Sequence, residues 1–229
     1  MKPSKIAMAA LLAAMAAAPV AAPVAVQARD VQLTDATRMV VHKVTVAHDV
    51  FKGRPAFRVN GNEERDVDRV VLLPDVPFHD GVIEVDVVGE ADLQQYAAAR
   101  GFIGIAFRAA DDASTFEALY IRPTNGRADD QVRRNHSTEY ISFPDWPWER
   151  MRKETPEKYE SYADVVPGEW MHLKIVVKGD KAQFYVNNAP QPALIVNDLK
   201  LGADRKGIVA LWVGLGTVGH FANLKVSPL

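Results

Sequence analysis

The 229 residues contain no cysteine. A disulfide framework, a thiol nucleophile and a cysteine-ligated metal are therefore excluded, and packing alone must hold the chain together. Charge of either sign is scarce in excess, with a formal net charge of −2. Such a chain has no electrostatic reason to seek nucleic acid or anionic lipid. Long apolar runs are missing except at the N-terminus, and that one is short. Also missing are a G-x-S-x-G elbow, a phosphate-binding P-loop, an H-E-x-x-H zinc helix and a dinucleotide fingerprint.

What is present begins with export. Lys2 and Lys5 form a basic head, an Ala/Leu/Met run follows from Ile6 to about Ala18, and Val26-Gln27-Ala28 supplies small residues for a signal peptidase. The apolar core is shorter than the ~20 residues a membrane span needs, so residues 1–28 read as a cleaved secretory signal and the protein as periplasmic or secreted, with no membrane span in its mature form. Residues 29–229 are enough to bury a sizeable core in one domain.

Period-2 alternation dominates that part. Val40 to His48, Pro55 to Val59, Val67 to Leu73, Val82 to Val88, Gly101 to Arg108, Phe116 to Arg122, Trp170 to Val177, Ala182 to Val186, Ala193 to Val196, Ile208 to Val213 and His220 to Val226 read as strands between Gly, Pro, Asn and Asp turns. About ten short strands at this spacing predict an all-β sandwich or barrel. The stretch 123–167 breaks the rhythm. It is polar, aromatic and irregular, and its aromatics argue for an ordered insert rather than a disordered one.

Pairing the central hairpin through its turn sets Phe107 opposite Glu117, Ile105 opposite Leu119 and Ile103 opposite Ile121 on a core face. The other face then carries Gly104, Ala106 and Ala118 as a floor, walled by Arg108, Tyr120 and Arg122. Glu84 and Asp86 point outward from their strand and are expected to close one side of this hollow, with Arg108 paired to Glu117 or Glu84. The loop after Arg122 is dense in hydrogen-bonding groups, and Asn125, Asp130, Gln131, Arg134, Asn135 and His136 are expected to roof it. Trp146 or Trp148 supplies a ring for a sugar face. Carboxylate and guanidinium forks suit hydroxyl groups, so a glycan or glycoside is the expected ligand. Catalysis is less well marked. Glu84, Asp86 and Glu117 are the candidate acids, but a glycosidase needs two carboxyls at a set separation, and Glu90, the third of the spaced acids, lies beyond Gly89. The competing reading is a solvated face carrying cross-strand ion pairs.

Several motifs carry a resemblance. Phe78-His79-Asp80-Gly81-Val82-Ile83-Glu84-Val85-Asp86-Val87 resembles a strand of laminin-G-like and other concanavalin A-like domains. Gly104-Ile105-Ala106-Phe107-Arg108 with Phe116-Glu117-Ala118, Pro167-Gly168-Glu169-Trp170, Phe184-Tyr185-Val186-Asn187-Asn188 and Phe221-Ala222-Asn223-Leu224-Lys225-Val226 resemble the strands of the bacterial 3-keto-disaccharide hydrolase family, formerly a domain of unknown function. The resemblance covers roughly residues 40 to 227. It implies a jelly roll of two antiparallel sheets with a carbohydrate on the concave face, activity on 3-keto-glycosides in some members, no certain cofactor, and an allowance for a divalent metal. Leu211-Trp212-Val213-Gly214 stands where that family often has a Gln-Asp-His-Gly-like segment, so its catalytic residues are not carried over. A non-catalytic laminin-G-like interaction module is the alternative.

Overall fold

The computed structural model describes residues 28–61 and 69–229. Nearly all of the signal segment, and Val67 of the expected third strand, lie outside them. The strands are β1 (Arg29–Asp30), β2 (Val40–His42), β3 (Val44–Phe51), β4 (Arg54–Gly61), β5 (Val70–Phe78), β6 (Gly81–Ala91), β7 (Ile103–Ala109), β8 (Phe116–Ile121), β9 (Thr138–Phe143), β10 (Glu160–Ser161), β11 (Met171–Lys178), β12 (Lys181–Val186), β13 (Leu194–Val196), β14 (Gly207–Val213) and β15 (Thr217–Pro228). Two short helices, α1 (Gln131–Asn135) and α2 (Trp148–Glu154), interrupt them. No helix among the described residues is long and apolar enough to cross a membrane.

The strands form two antiparallel sheets. Sheet A runs β13-β12-β11-β6-β15-β4-β3, with β1 also paired to β15, and sheet B runs β10-β9-β8-β7-β14-β5-β2. Between them lies one core. Ile83, Val85 and Val87 of β6 and Leu173, Ile175 and Val177 of β11 meet Ile103 and Ile105 of β7 and Leu119 and Ile121 of β8. The expected alternation is thus present, with inward and outward residues taking turns along each strand. Ile105 is fully buried in this layer. Replacing it with alanine should cost about 2–5 kcal/mol in urea unfolding, whereas a loss below about 1 kcal/mol would mean the cavity collapses or the faces are misassigned.

The two sheets differ on their outer sides. In sheet A the pattern is half-buried, with Glu84 and Asp86 facing outward from β6. In sheet B every residue of β7 and β8 is buried, and a second apolar layer including Val70, Leu72, Ala106, Ala118, Tyr120 and Trp212 lies on the outer face.

The stretch expected as a single strand from Val40 to His48 divides at Lys43, whose φ is +56°. The part before it joins sheet B as β2 and the part after it joins sheet A as β3, so the break transfers the chain between layers. The 123–167 insert is ordered. Its sequence is polar, yet β9 and β10 add two strands to sheet B. Asp198 ties this insert down: Lys158 Nζ donates at 2.9 Å, Lys200 Nζ at 2.8 Å and the Tyr159 hydroxyl at 2.7 Å. Burial opposes ionisation of Asp198, but these donors outweigh it and hold its pKa at about 2, below the ordinary 3.8. A depressed carboxylate pKa stabilises the fold above about pH 4 and loses that contribution as the pH falls toward 2. Asp198→Asn should therefore flatten the acid limb of stability against pH in that window. An unchanged acid limb would show that the cluster contributes nothing to the folded state.

Candidate functional site

The outer face of sheet B is organised around a glycine. Gly104 is the register partner of Tyr120 on one side and of Trp212 on the other. A Cβ on Gly104 would sit 2.5 Å from the Tyr120 Cβ and 2.2 Å from the Leu119 carbonyl oxygen. Without it, the two rings close over the strand and stack with centroids 4.3 Å apart and planes at 28°. Phe102 extends the row, stacked on Tyr120 at 5.9 Å and 29°. Offset stacking of this kind is favourable beyond the area it buries.

The ring row ends in a charged cluster. Arg122 lies over Phe102 at 4.8 Å and near Trp148 at 5.4 Å. It forms a very short ion pair with Glu139, reaches Glu160 Oε1 at 3.3 Å, and donates to the Tyr120 hydroxyl at 3.3 Å. The Tyr120 hydroxyl in turn donates to Glu139 Oε2 at 3.0 Å. Glu139 and Glu160 are direct cross-strand partners on β9 and β10. Like charges so placed repel, and Arg122 between them is what makes the pairing tolerable. Arg152 grips Glu160 from the other side, with Nε at 2.9 Å from Oε2, and stacks over Trp148 at 4.7 Å. The hydrogen bond to Glu160 raises the Arg152 pKa. His136 Nε2 lies 3.6 Å from Glu160 Oε2, and burial lowers the His136 pKa. Burial also raises the Tyr120 pKa, which keeps its hydroxyl a donor.

Two atoms in this cluster are buried without a hydrogen-bond partner among the described residues, Arg122 Nε and Glu139 Oε1. Buried polar atoms are nearly always paired, so each of these two marks unmet hydrogen-bonding capacity.

Of the residues singled out from sequence, the structure brings together Tyr120, Arg122, His136 and Trp148. Asn125, Asp130, Gln131, Arg134 and Asn135 brace their own loop instead. Asn125 donates to the His136 carbonyl at 2.9 Å and accepts from Arg133 at 3.0 Å. Asp130 caps α1 by accepting from the Arg133 amide at 2.9 Å. Gln131 bonds Asn135 at 2.8 Å, and Arg134 stacks on Tyr162 at 5.3 Å. Trp146 lies under Arg150 at 3.7 Å and Lys200 at 4.8 Å, and packs from the insert against the core.

The expected placements of Glu84, Asp86 and Arg108 are corrected, while Glu117 keeps the core-face position that the hairpin pairing predicts. Glu84 and Asp86 belong to sheet A and stand on the outer side of the opposite layer. Arg108 does not wall the hollow, because its φ of +53° accompanies a bulge against β14 and turns the side chain off that face. Nor does it pair with Glu117 or Glu84: it donates to Asp80 Oδ1 and to the carbonyls of His79, Gly179 and Gly202. Glu117 points into the interior, where it accepts from the Tyr140 hydroxyl and from the Leu201 amide at 2.7 Å, and burial raises its pKa. The residues not foreseen are Trp212 as a ring and Glu139, Glu160 and Arg152 as charges.

No protein-family model and no curated protein matches the chain. Solved structures share its fold. A carbohydrate-binding module, CBM66, from Bacillus subtilis superposes with a TM-score of 0.57 at 15% identity, covering 82% of this chain and 93% of that one. A protein of unknown function with a galectin-like fold, also from Bacillus subtilis, gives 0.55 at 11%, covering 86% and 91%. A putative glycosyl hydrolase from Parabacteroides distasonis gives 0.52 at 12%, covering 89% and 100%. The chain is thus an all-β jelly roll of the kind seen in carbohydrate-binding modules and galectin-like proteins.

Proposed function

We propose that this chain is an exported glycan-binding jelly roll whose ligand lies on the outer face of sheet B, against Trp148 and Phe102 and beside Arg122 and Glu139. The observation that carries this reading is a row of rings, Trp212, Tyr120 and Phe102, that ends at the Arg122–Glu139–Glu160–Arg152 charge cluster and the partly exposed Trp148. A pyranose needs that combination: an apolar plate for its C–H face and a fork of fixed donors and acceptors for its hydroxyls. Trp148 is 37% exposed and offers the plate, whereas Tyr120 is 1% exposed and holds the stack beneath. The fold shared with a carbohydrate-binding module is consistent with this use, and the secretory pattern of residues 1–28 with export.

Hydrolysis of a glycoside is the second reading, because Glu139 and Glu160 are directly opposed and retaining glycosidases set two carboxyls about 5–5.5 Å apart. The same geometry weighs against it. Both carboxylates are committed to arginine, while hydrolysis requires one of them to deliver a proton. Among the described residues no group of three or more histidines and acids is arranged for a metal ion.

A glycan array on the chain lacking residues 1–28, followed by calorimetric titration of the best hit, tests the reading. Trp148→Ala should weaken binding roughly tenfold with an unchanged melting curve. An array without hits, or a hit whose affinity ignores Trp148, would sink it.

A further inference from the structure

Sheet A contains a split that the outer face of sheet B does not involve. Strand β15 pairs with β4 only as far as Phe221, and with β1 from Lys225 onward. Between them the register of β15 against β6 shifts, and Asn223 takes a φ of +52°. Bulges of this kind re-aim side chains, and here Asn223 Nδ2 donates to Asp86 Oδ2 at 2.8 Å. The gap is a cavity of about 660 Å³, within the size range of small-ligand sites.

Its polar walls include Asp49, Glu84, Asp86, His48, His172 and Asn223, and its apolar walls include Val31, Leu33, Pro55 and Phe57. The carboxylates are largely compensated before any ligand arrives. Asp86 is bonded by Arg54 and lies 2.8 Å from His172 Nδ1. Asp49 is held by His220 Nε2 at 3.2 Å and Arg58 at 3.4 Å. These contacts, set against burial, hold the Asp86 carboxyl below its usual range. Glu84 has His172 Nε2 at 3.6 Å and otherwise offers its oxygens to the cavity.

A site in which Asp86 already holds Arg54 and Asp49 holds Arg58 does not call for an amine or a metal ion. It presents fixed acceptors, an amide and two imidazoles over apolar walls, which is the complement of a neutral polyhydroxylated ring. We infer that this cavity is a second sugar site, independent of the first, so that the protein carries one site on each sheet. Two sites on one rigid body let the chain engage two glycan strands, or two places on one strand, with gain in avidity.

The test is an amide-resolved NMR titration of the chain lacking residues 1–28 with D-glucose, D-galactose, L-arabinose, D-fructose and maltose, and separately with calcium chloride and methylammonium chloride. At least one sugar should shift the Asn223 side-chain amide and the backbone amides of Gln32 and Ala222. Glu84→Gln and Asn223→Ala should each weaken that response tenfold or more, with melting curves recorded alongside. Trp148→Ala should leave it intact, which separates this inference from the site on sheet B. No response from any of the sugars, a response indifferent to both variants, or a stronger response to calcium or methylammonium would overturn it.

Discussion

Arg108→Ala should be the most destabilising single replacement outside the apolar core, lowering stability by about 3–5 kcal/mol and the melting temperature by roughly 10 °C. The side chain is fully buried. Its guanidinium donates to Asp80 Oδ1 at 2.9 Å and to three carbonyls, those of His79 at 2.9 Å, Gly202 at 2.9 Å and Gly179 at 2.7 Å. His79 and Asp80 form the turn between β5 of sheet B and β6 of sheet A, while Gly179 is in the β11–β12 turn of sheet A. One side chain from sheet B therefore fastens one end of the sandwich. Removing it takes a donor from three part-buried carbonyls and, among the described residues, leaves the Asp80 carboxylate with the Gly179 amide, each loss adding a desolvation penalty. Arg108→Lys should not restore the fold, since one ammonium cannot span four acceptors in a planar fork. Urea unfolding of both variants checks this. A loss under about 1 kcal/mol for Arg108→Ala would show that the fastening is dispensable.

Arg122→Met should also cost about 3–5 kcal/mol at neutral pH, and the cost should shrink in mild acid. Glu139 is 1% exposed, and among the described residues it keeps the Tyr120 hydroxyl as its side-chain partner without Arg122, while Glu160 retains Arg152. A buried carboxylate stripped of its cation has its folded pKa raised above the unfolded value of about 4.3. The variant's deficit is then relieved where Glu139 is protonated and grows as the pH rises through its folded pKa. Unfolding at pH 7 and at pH 4.5 separates this from simple loss of packing, which would give equal deficits at both. The sequence marks Arg122 only as a wall of the hollow. Its burial between two opposed glutamates makes it structural, so Trp148 is the cleaner probe of the proposed binding.

The local pairing of the central hairpin was legible in the sequence. Phe107 meets Glu117, Ile105 meets Leu119 and Ala106 meets Ala118 as alternation and a short turn require. The bulge that removes Arg108 from this pattern was not legible, because a positive φ at a non-glycine residue leaves no compositional mark. Nor was the sheet that holds Glu84 and Asp86, since strand order across a sandwich is set by non-local packing. Strand β9 escaped notice for another reason. Thr138, Glu139 and Ser142 are polar yet buried, and their partners come from β8, β10 and the insert, so a polar stretch satisfies itself internally and imitates a loop. Trp212 did carry a usable signal. It stands on the opposite face from Leu211 and Val213, and the register through Gly104 aligns it with Tyr120.

The central claim concerns which face holds the glycan, and the four tryptophans, at positions 146, 148, 170 and 212, report on it directly. Trp148 and Trp212 belong to the outer face of sheet B, while Trp170 lies on the other side of the molecule, beneath Arg54. The measurement is the indole N–H region of the nitrogen-correlated proton spectrum during titration with the strongest array hit. The Trp148 and Trp212 signals should move with saturation. Movement of Trp170 with Trp148 and Trp212 unmoved would contradict the account.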